Sequence, residues 1–209
     1  MSIKEDKLNH LLENLSAKEK SFLACAELVM KSGNALQFTL DFIALSIINR
    51  AISLNRAFKL LVENNNMLAA VNNIRLQLDN LIRYHAIYIV DEPDKLIEHI
   101  LEGQPIDKFV FNKQRLTDGY LVQKLNEKFP NTLKLYKHCC EFIHFGFKHF
   151  EKVRVPSKNP MAKFTVTVGD SDNFSIGEKI VYAENMLYIS DALLEILGCW
   201  PIEKDKLFK

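Results

Sequence analysis

The sequence predicts a mainly α protein, a bundle of four to five long helices with a small β-hairpin before the C-terminal helix. Residues 35–63 and 67–90 repeat apolar side chains at the three- and four-residue spacing of a buried helical face. Only 7 Gly and 6 Pro occur in 209 residues, which is too few for the turns of a β-rich fold. We therefore expect one helical domain over residues 1–209.

The N-terminal part of the chain predicts two helices. Residues 3–14 have a short amphipathic pattern, and Ser16 with Glu19 three positions later is a capping-box signal for a second helix over residues 17–31. We expect these helices, within residues 1–34, to pack as an arm on the rest of the bundle.

The two long apolar segments, residues 35–63 and 67–90, are separated by the three asparagines of residues 64–66. Helices joined by so short a turn pack as antiparallel neighbours. Polar and charged side chains interrupt the most apolar stretch, residues 36–54, so we expect a buried helix there and no membrane contact.

Three further helices are predicted in the middle of the chain. Residues 94–102 form a short helix, and residues 104–116 are expected to be a loop. Thr117 is placed to cap a helix over residues 118–128, and the apolar pattern then predicts one helix over residues 132–150.

The pattern changes after residue 150. Residues 163–168 alternate in polarity and are rich in β-branched side chains, which is typical of a strand. Residues 153–155 are expected to pair with this strand across a turn at residues 156–160, making residues 151–172 a β-hairpin excursion. The last long helix is predicted over residues 176–197.

Net charge, cysteine spacing and the first residues of the chain limit the classes of protein to consider. The net charge is +1, which gives no overall preference for nucleic acid or an anionic membrane. The four cysteines show no C-x-x-C spacing, and the first residues lack the pattern of a secretory signal. We expect a cytoplasmic protein with reduced thiols, no cofactor and no bound metal.

The most informative feature is the placement of arginine. Four of the six arginines lie in the two most apolar segments: Arg50, Arg56, Arg75 and Arg83. Arg75, Asp79 and Arg83 are spaced four residues apart and form one stripe on a helix. Arginine tolerates partial burial because carboxylates and carbonyls can satisfy its planar group. We therefore predict an ionic network inside the bundle, with Asp41 or Glu63 of the preceding helix as further partners.

Three interpretations of this stripe stay open. In the first, it is a structural ladder in which each buried charge is paired within the protein. In the second, it lines a polar cleft whose arginines bind an anion, a phosphate or an RNA backbone. Simple exposure on the surface is the third alternative.

Three histidines, His138, His144 and His149, lie in the predicted helix 132–150. None forms the i, i+4 pair of a helical metal site, so no metal is expected. His144 and His149 would share a site only if Gly146 distorts the helix between them. His144 borders the apolar face of this helix, and its ordinary pKa lies near neutral pH, which makes it our candidate acid–base group.

Several ordered segments resemble an uncharacterised bacterial family of all-helical proteins. The resemblance rests on an Arg-x-Gln-x-Asp-x3-Arg helix beginning at Arg75 and a later Ile-His-x4-His helix ending at His149. Supporting segments are residues 103–106, 116–122, 168–170 and 198–200. The resemblance covers roughly residues 70–205 and implies an all-helical fold without implying an activity.

A looser likeness connects the chain to the HEPN superfamily of helical nucleases from toxin–antitoxin and phage-defence systems. Their motif places an arginine four to six residues before a histidine on one helix, and no arginine precedes His144 at that distance. Arg75 or Arg83 would have to supply the guanidinium from another helix.

Three functions therefore remain as hypotheses. The first is a binding or oligomerisation module with an internal Arg/Asp stripe, for which a homodimer is the candidate assembly. The second is a HEPN-like ribonuclease that uses His144 with Arg75 or Arg83, and a hydrolase of small phosphorylated molecules is a weaker third option. The sequence leaves open whether the protein is an enzyme. The candidate binding set is Arg75, Asp79, Arg83, Tyr120, His144 and His149.

Overall fold

A computed structural model of the chain describes residues 2–155, 165–166, 168–169 and 173–208. The predicted mainly α class is confirmed. The helices are α1 (Ile3–Lys31), α2 (Thr39–Glu63), α3 (Met67–Ile87), α4 (Pro93–Leu101), α5 (Asp118–Lys128), α6 (Thr132–Ile143), α7 (Phe147–Val153), α8 (Ile176–Leu197) and α9 (Cys199–Lys206). The strands are β1 (Val110–Phe111), β2 (Gln114–Arg115), β3 (Arg154–Val155) and β4 (Thr165–Val166).

Helix α3 lies at the centre of the bundle and packs against α2, α8, α6 and α5. Its side chains Ile74, Leu78 and Leu81 are completely buried. Contacts between α2 and α3 pair residue 50 with residue 80 and residue 55 with residue 77, so the two helices are antiparallel, as the short turn between them predicts. Helix α1 packs against α2 and α8.

The prediction of two N-terminal helices is wrong, because α1 is one continuous helix. Its capping box is formed by Ser2 and Glu5, whereas Ser16 donates to the carbonyl of Leu12 inside the helix. A continuous row of buried side chains, from Leu8 through Phe22, holds the helix together across the predicted break.

The segment over residues 104–116 is more ordered than the predicted loop. It contains a single 3-10 turn and the antiparallel pair β1–β2. The two residues between the strands, Asn112 and Lys113, both have positive φ, as a tight two-residue hairpin turn requires. A lysine in place of the usual glycine leaves this turn without a clear sequence signal.

The single helix predicted over residues 132–150 is also wrong. The chain leaves the helical conformation at His144 (φ −90°, ψ 132°) and resumes it at α7 after Gly146. The Gly146 amide donates to His149 Nδ1 at 3.3 Å, which caps the new helix. The helix is thus interrupted between His144 and Gly146, at the position where a distortion was considered from the sequence.

The predicted hairpin before the last long helix is confirmed, since β3 and β4 pair in antiparallel register with Arg154 opposite Val166. Its predicted turn at residues 156–160 lies outside the described residues. The capping box of α8 is formed by Ser175 and Glu178, as predicted. No helix within the described ranges combines the length and the apolar character needed to cross a membrane.

Helix α9 was not predicted, and it brings a second ionic group into the protein. The Lys204 ammonium group is completely buried and donates to Asp41 Oδ2 at 2.9 Å and to the Val29 carbonyl at 3.0 Å. Trp200 Nε1 donates to Asp41 Oδ1 at 2.6 Å. We call Lys204, Asp41 and Trp200 the lysine cluster.

Candidate functional site

The predicted stripe on α3 is the centre of an ionic group that we call the arginine cluster: Arg50, Arg75, Asp79, Arg83 and Asp118. Asp79 faces three guanidinium groups. Its carboxylate accepts from Arg83 Nε at 3.2 Å and from Arg50 Nη1 at 3.4 Å, and it lies 3.8 Å from Arg75 Nη1. The i, i+4 spacing on one helix explains two of these three contacts.

Asp118 is the second carboxylate of the cluster, and the sequence did not single it out. It accepts from Arg75 Nη2 at 3.0 Å and from Arg83 Nη2 at 2.6 Å. Thr117 caps α5 as predicted and thereby places Asp118 in the first turn, where a carboxylate is also favoured by the helix dipole. The only sequence signal for Asp118 was its position directly after this cap.

Arg75 is the most buried member of the arginine cluster, with 10% of its side chain exposed. Its guanidinium carbon lies 4.3 Å from the centre of the Tyr136 ring. Burial lowers the pKa of this guanidinium, but the Cys140 thiol, Tyr136 and Asp79 outweigh burial and raise the pKa above its ordinary value. Arg75 therefore stays charged in an almost dry position.

The cluster continues into the core through neutral polar side chains. Arg50 Nη1 donates to Asn80 Oδ1, Asn80 Nδ2 donates to Gln77 Oε1 at 2.9 Å, and Gln77 in turn contacts Asn55 at 3.2 Å. Ser190 of α8 donates to Asn55 at 3.1 Å and ends the chain. Charged and neutral groups thus form one network across α2, α3, α5 and α8.

Three expectations about the partners of the stripe are corrected. Asp41 pairs with Lys204 and Glu63 pairs with Lys59, so neither reaches the arginines of α3. Arg56 lies on the outer surface of α2 and forms an ion pair with Glu19 of α1. Arg56 is 67% exposed, because its position on α2 faces α1 at the rim of the bundle and not α3.

The arginine cluster borders an open groove of about 580 Å³. Arg83 and Asp118 form its polar wall, and it is completed by Ile100, Gln104, Pro105, Ile106, Asp107 and Thr117. Two nitrogens of the cluster, Arg75 Nε and Arg83 Nη1, are buried and have no hydrogen-bond partner in the described part of the chain. One wall of the groove therefore carries charged side chains, and the guanidinium groups of Arg75 and Arg83 are already paired with the carboxylates of Asp79 and Asp118.

His144 lies in a different depression, at the break between α6 and α7. This pocket of about 370 Å³ is lined by Lys137, Cys140, Glu141, His144, Gly146, Phe147 and Lys148. It contains no arginine, and the groove beside Arg83 contains no histidine. Cys140 is the link between the two regions, because it lines the His144 pocket and its thiol lies beside Arg75.

The other two predicted binding residues have local structural contacts. His149 accepts the hydrogen bond that caps α7, and its ring lies against Phe142 and Phe145. Tyr120 is half-buried in the first turn of α5, where its side chain packs on the core. Within the described ranges, no group of three or more His, Cys, Asp or Glu side chains is arranged to hold a metal ion.

Comparisons with known protein families, with curated proteins and with solved structures find no match for this chain.

Proposed function

We propose that the protein is a binding module that acts as a homodimer, with the arginine cluster as an internal structural element. The observation that carries this proposal is the pairing of the cluster: Asp79 and Asp118 each face at least two guanidinium groups at 3.8 Å or less. An incoming anion would have to displace a carboxylate that is already bound on two sides. The cluster is therefore better suited to locking α2, α3 and α5 together than to binding a ligand.

The interaction surface of this module is the apolar patch at the break between α6 and α7, formed by Ile143, Phe145, Phe147 and Phe150. Phe145 and Phe147 are 79% and 75% exposed, and the rings of Phe145 and Phe150 are 5.2 Å apart. Large apolar side chains that lie together on a surface are typical of protein contacts.

A second copy of the chain is the partner that this patch fits best. Both signs of charge flank the apolar side chains, with Lys137 and Glu141 on α6 and an ion pair between Lys148 and Glu151 on α7. A surface with an apolar centre and balanced charges is complementary to itself across a two-fold axis.

The dimer is tested by light scattering coupled to size-exclusion chromatography. We expect the wild type to elute with twice the chain mass of 24.1 kDa, and the double variant Phe145→Ser/Phe147→Ser to elute as a monomer. The matched control is Leu23→Ser/Leu28→Ser, which removes two exposed apolar side chains from α1 and should leave the dimer intact. A monomeric wild type, or loss of the dimer in the α1 control alone, would contradict the proposal.

A HEPN-like ribonuclease is the second candidate function, and one contact favours it. The Cys140 thiol lies beside Arg75, and Cys140 lines the same pocket as His144, so this one residue connects the guanidinium to the pocket of the histidine. In such an enzyme His144 would transfer protons and Arg75 or Arg83 would stabilise the charge that develops on the phosphate.

The ribonuclease candidate is tested by incubating single-stranded RNA with the wild type and with His144→Ala. If this function holds, His144→Ala lowers the cleavage rate by about 100-fold, which is the usual contribution of an acid–base group. His10→Ala changes an exposed histidine of α1 and serves as the control. Intact RNA with the wild type, or equal cleavage by His144→Ala, removes this candidate.

A further inference from the structure

A large open cavity lies away from both ionic clusters, between α6 and the first turns of α8. Its volume is about 710 Å³, within the range of small-molecule sites between the helices of a bundle. It is lined by Asn131, Lys134, Leu135, His138, Ser175, Gly177, Glu178, Val181, Tyr182 and Asn185.

The walls of this cavity are held in place by contacts on both sides. His138 Nε2 and the Tyr182 hydroxyl are 2.9 Å apart, and their rings stack with centroids 5.8 Å apart. On the rim, Tyr188 donates to the Pro130 carbonyl at 2.9 Å and fixes the turn at Asn131, which has a φ of +74°. The cavity is therefore a preformed space.

Three polar side chains of the lining have no partner within the part of the chain that the structure describes. Among residues 2–155, 165–166, 168–169 and 173–208, Lys134 finds no ion-pair partner, and the side-chain amides of Asn131 and Asn185 find no hydrogen-bond partner. The acidic group of the lining, Glu178, is already occupied by Ser175 and by an ion pair with Lys152. Within the described residues, the ammonium group of Lys134 and the amides of Asn131 and Asn185 are thus unpaired, whereas the carboxylate of Glu178 is already paired with Lys152.

His138 and Tyr182 face charged groups of both signs. Burial, followed by the nearby Lys148, lowers the pKa of His138, and Lys134 and Lys152 act in the same direction against Glu141. Burial, together with Glu178, Glu151 and Glu141, raises the pKa of the Tyr182 hydroxyl well above its ordinary value. Lys148 and Lys152 are paired with Glu151 and Glu178, which leaves Lys134 as the lining cation without a carboxylate partner in the described part of the chain.

We propose that this cavity binds a small organic anion, with its carboxylate at Lys134 and its apolar body against Leu135 and Val181. The side-chain amides of Asn131 and Asn185 supply hydrogen-bond donors for the carboxylate oxygens. This site is independent of the dimer surface and of the His144 pocket, so its test does not depend on either.

Benzoate is a suitable probe, because it combines a carboxylate with a planar apolar ring, and benzyl alcohol is its uncharged counterpart. We expect saturable NMR shifts from benzoate at His138 and at neighbouring residues of α6 and α8, together with an upward shift of the His138 pKa. Benzyl alcohol should bind at least about tenfold more weakly, the difference that one charge-assisted hydrogen bond makes. Phenyl phosphate distinguishes a carboxylate site from a phosphate site, and tighter binding of phenyl phosphate than of benzoate would overturn the assignment to carboxylates.

Two variants locate the site. Lys134→Gln removes the exposed cation without a change of core packing and should weaken benzoate binding about tenfold. Lys137→Gln lies one turn further along α6, lines a different pocket and should leave the affinity unchanged. Shifts that do not saturate, equal binding of benzyl alcohol, or an unchanged affinity in Lys134→Gln would each overturn the proposal.

Discussion

The arginine cluster and the lysine cluster both bring cations against carboxylates inside the bundle, but they satisfy their charges differently. In the lysine cluster one cation meets one carboxylate, and the side chains of Lys204 and Asp41 are 0% and 3% exposed. In the arginine cluster three cations share two carboxylates, and the exposed fractions range from 10% for Arg75 to 43% for Arg50.

The more deeply buried ion pair, between Asp41 and Lys204, is therefore not the one that a short spacing in the sequence indicates. Asp41 and Lys204 are 163 residues apart, and no spacing relates them. The stripe of Arg75, Asp79 and Arg83 is visible at once, yet its cluster leaves two buried nitrogens without a partner among the described residues. Both clusters hold helices together, but only the arginine cluster contains buried side-chain nitrogens that have no hydrogen-bond partner within the described residues.

The largest effect is expected from breaking the lysine cluster. Lys204→Met leaves Asp41 buried without its cation and should lower the free energy of unfolding by about 3–5 kcal/mol. Urea unfolding followed by circular dichroism measures this loss. Lys206→Met, on the same helix but exposed, is the control and should cost less than about 0.5 kcal/mol.

A double variant shows whether the loss comes from the unpaired charge. Lys204→Met/Asp41→Asn also removes the negative charge while keeping an acceptor for Trp200, so it should recover part of the stability. A loss below about 1 kcal/mol in Lys204→Met would contradict the conclusion that this cluster holds helices together.

The close packing of Gly33 against Lys204 allows a second test of the lysine cluster. Gly33 has a φ of +60°, and a Cβ atom added there would lie 2.8 Å from Lys204 Cγ and 2.9 Å from a ring carbon of Phe208. Gly33→Ala should therefore lower the free energy of unfolding by about 1–3 kcal/mol. Gly103→Ala has a similar φ of +75° but meets nothing within 4 Å, so the difference between the two variants isolates the crowding. Equal losses would mean that α9 can move away from Gly33 without cost.

Removing one charge from the arginine cluster should lower the free energy of unfolding less than removing one from the lysine cluster. Asp118→Asn leaves Arg75 and Arg83 with Asp79 as their remaining carboxylate, and we expect a loss of about 1–2 kcal/mol in the free energy of unfolding. Asp107→Asn changes a carboxylate of the same groove whose ion pair in the described part of the chain is with Lys108 at 3.8 Å, so it is a matched control with little effect. A loss in Asp118→Asn as large as that in Lys204→Met would remove the contrast between the clusters.

The smallest expected effect on stability comes from His85. This basic side chain is buried in its neutral form, whereas Arg75 and Lys204 are buried as ion pairs. His85 lies two residues after Arg83, and burial, reinforced by Lys128, lowers its pKa from 6.5 to about 4. The unfolded chain therefore binds a proton first as the pH falls, and the stability present above pH 6.5 is lost as the pH falls toward 4.

Between pH 7.5 and pH 6.0 the wild type should lose on the order of 1 kcal/mol more than His85→Gln, measured as urea unfolding at each pH. His99→Gln, which changes a half-exposed histidine of α4, should retain the pH dependence of the wild type. If His85→Gln also retains it, other groups cause the loss of stability in acid.

Local signals predicted much of the helical framework. The caps at Thr117 and Ser175 and the apolar periodicity of α2, α3 and α8 each depend on residues within a few positions of one another. The two errors in the helix boundaries have different causes. In α1, burial against α2 and α8 outweighed the capping-box signal at Ser16. The break after α6 is local, because the chain leaves the helical conformation at His144 and Gly146 with His149 caps a new helix.

The contacts of the candidate site also fall into two groups, those within one helix and those between helices. The pairing of Arg75 and Arg83 with Asp79 was determined by the sequence, because the pitch of one helix brings side chains four residues apart onto the same face. Asp118 and Arg50, the partners from other helices, and the pairing of Lys204 with Asp41 were decided only by the tertiary structure. The reason is physical: contacts between helices depend on the register and the crossing of whole packed faces, to which every buried side chain contributes and which no short spacing encodes.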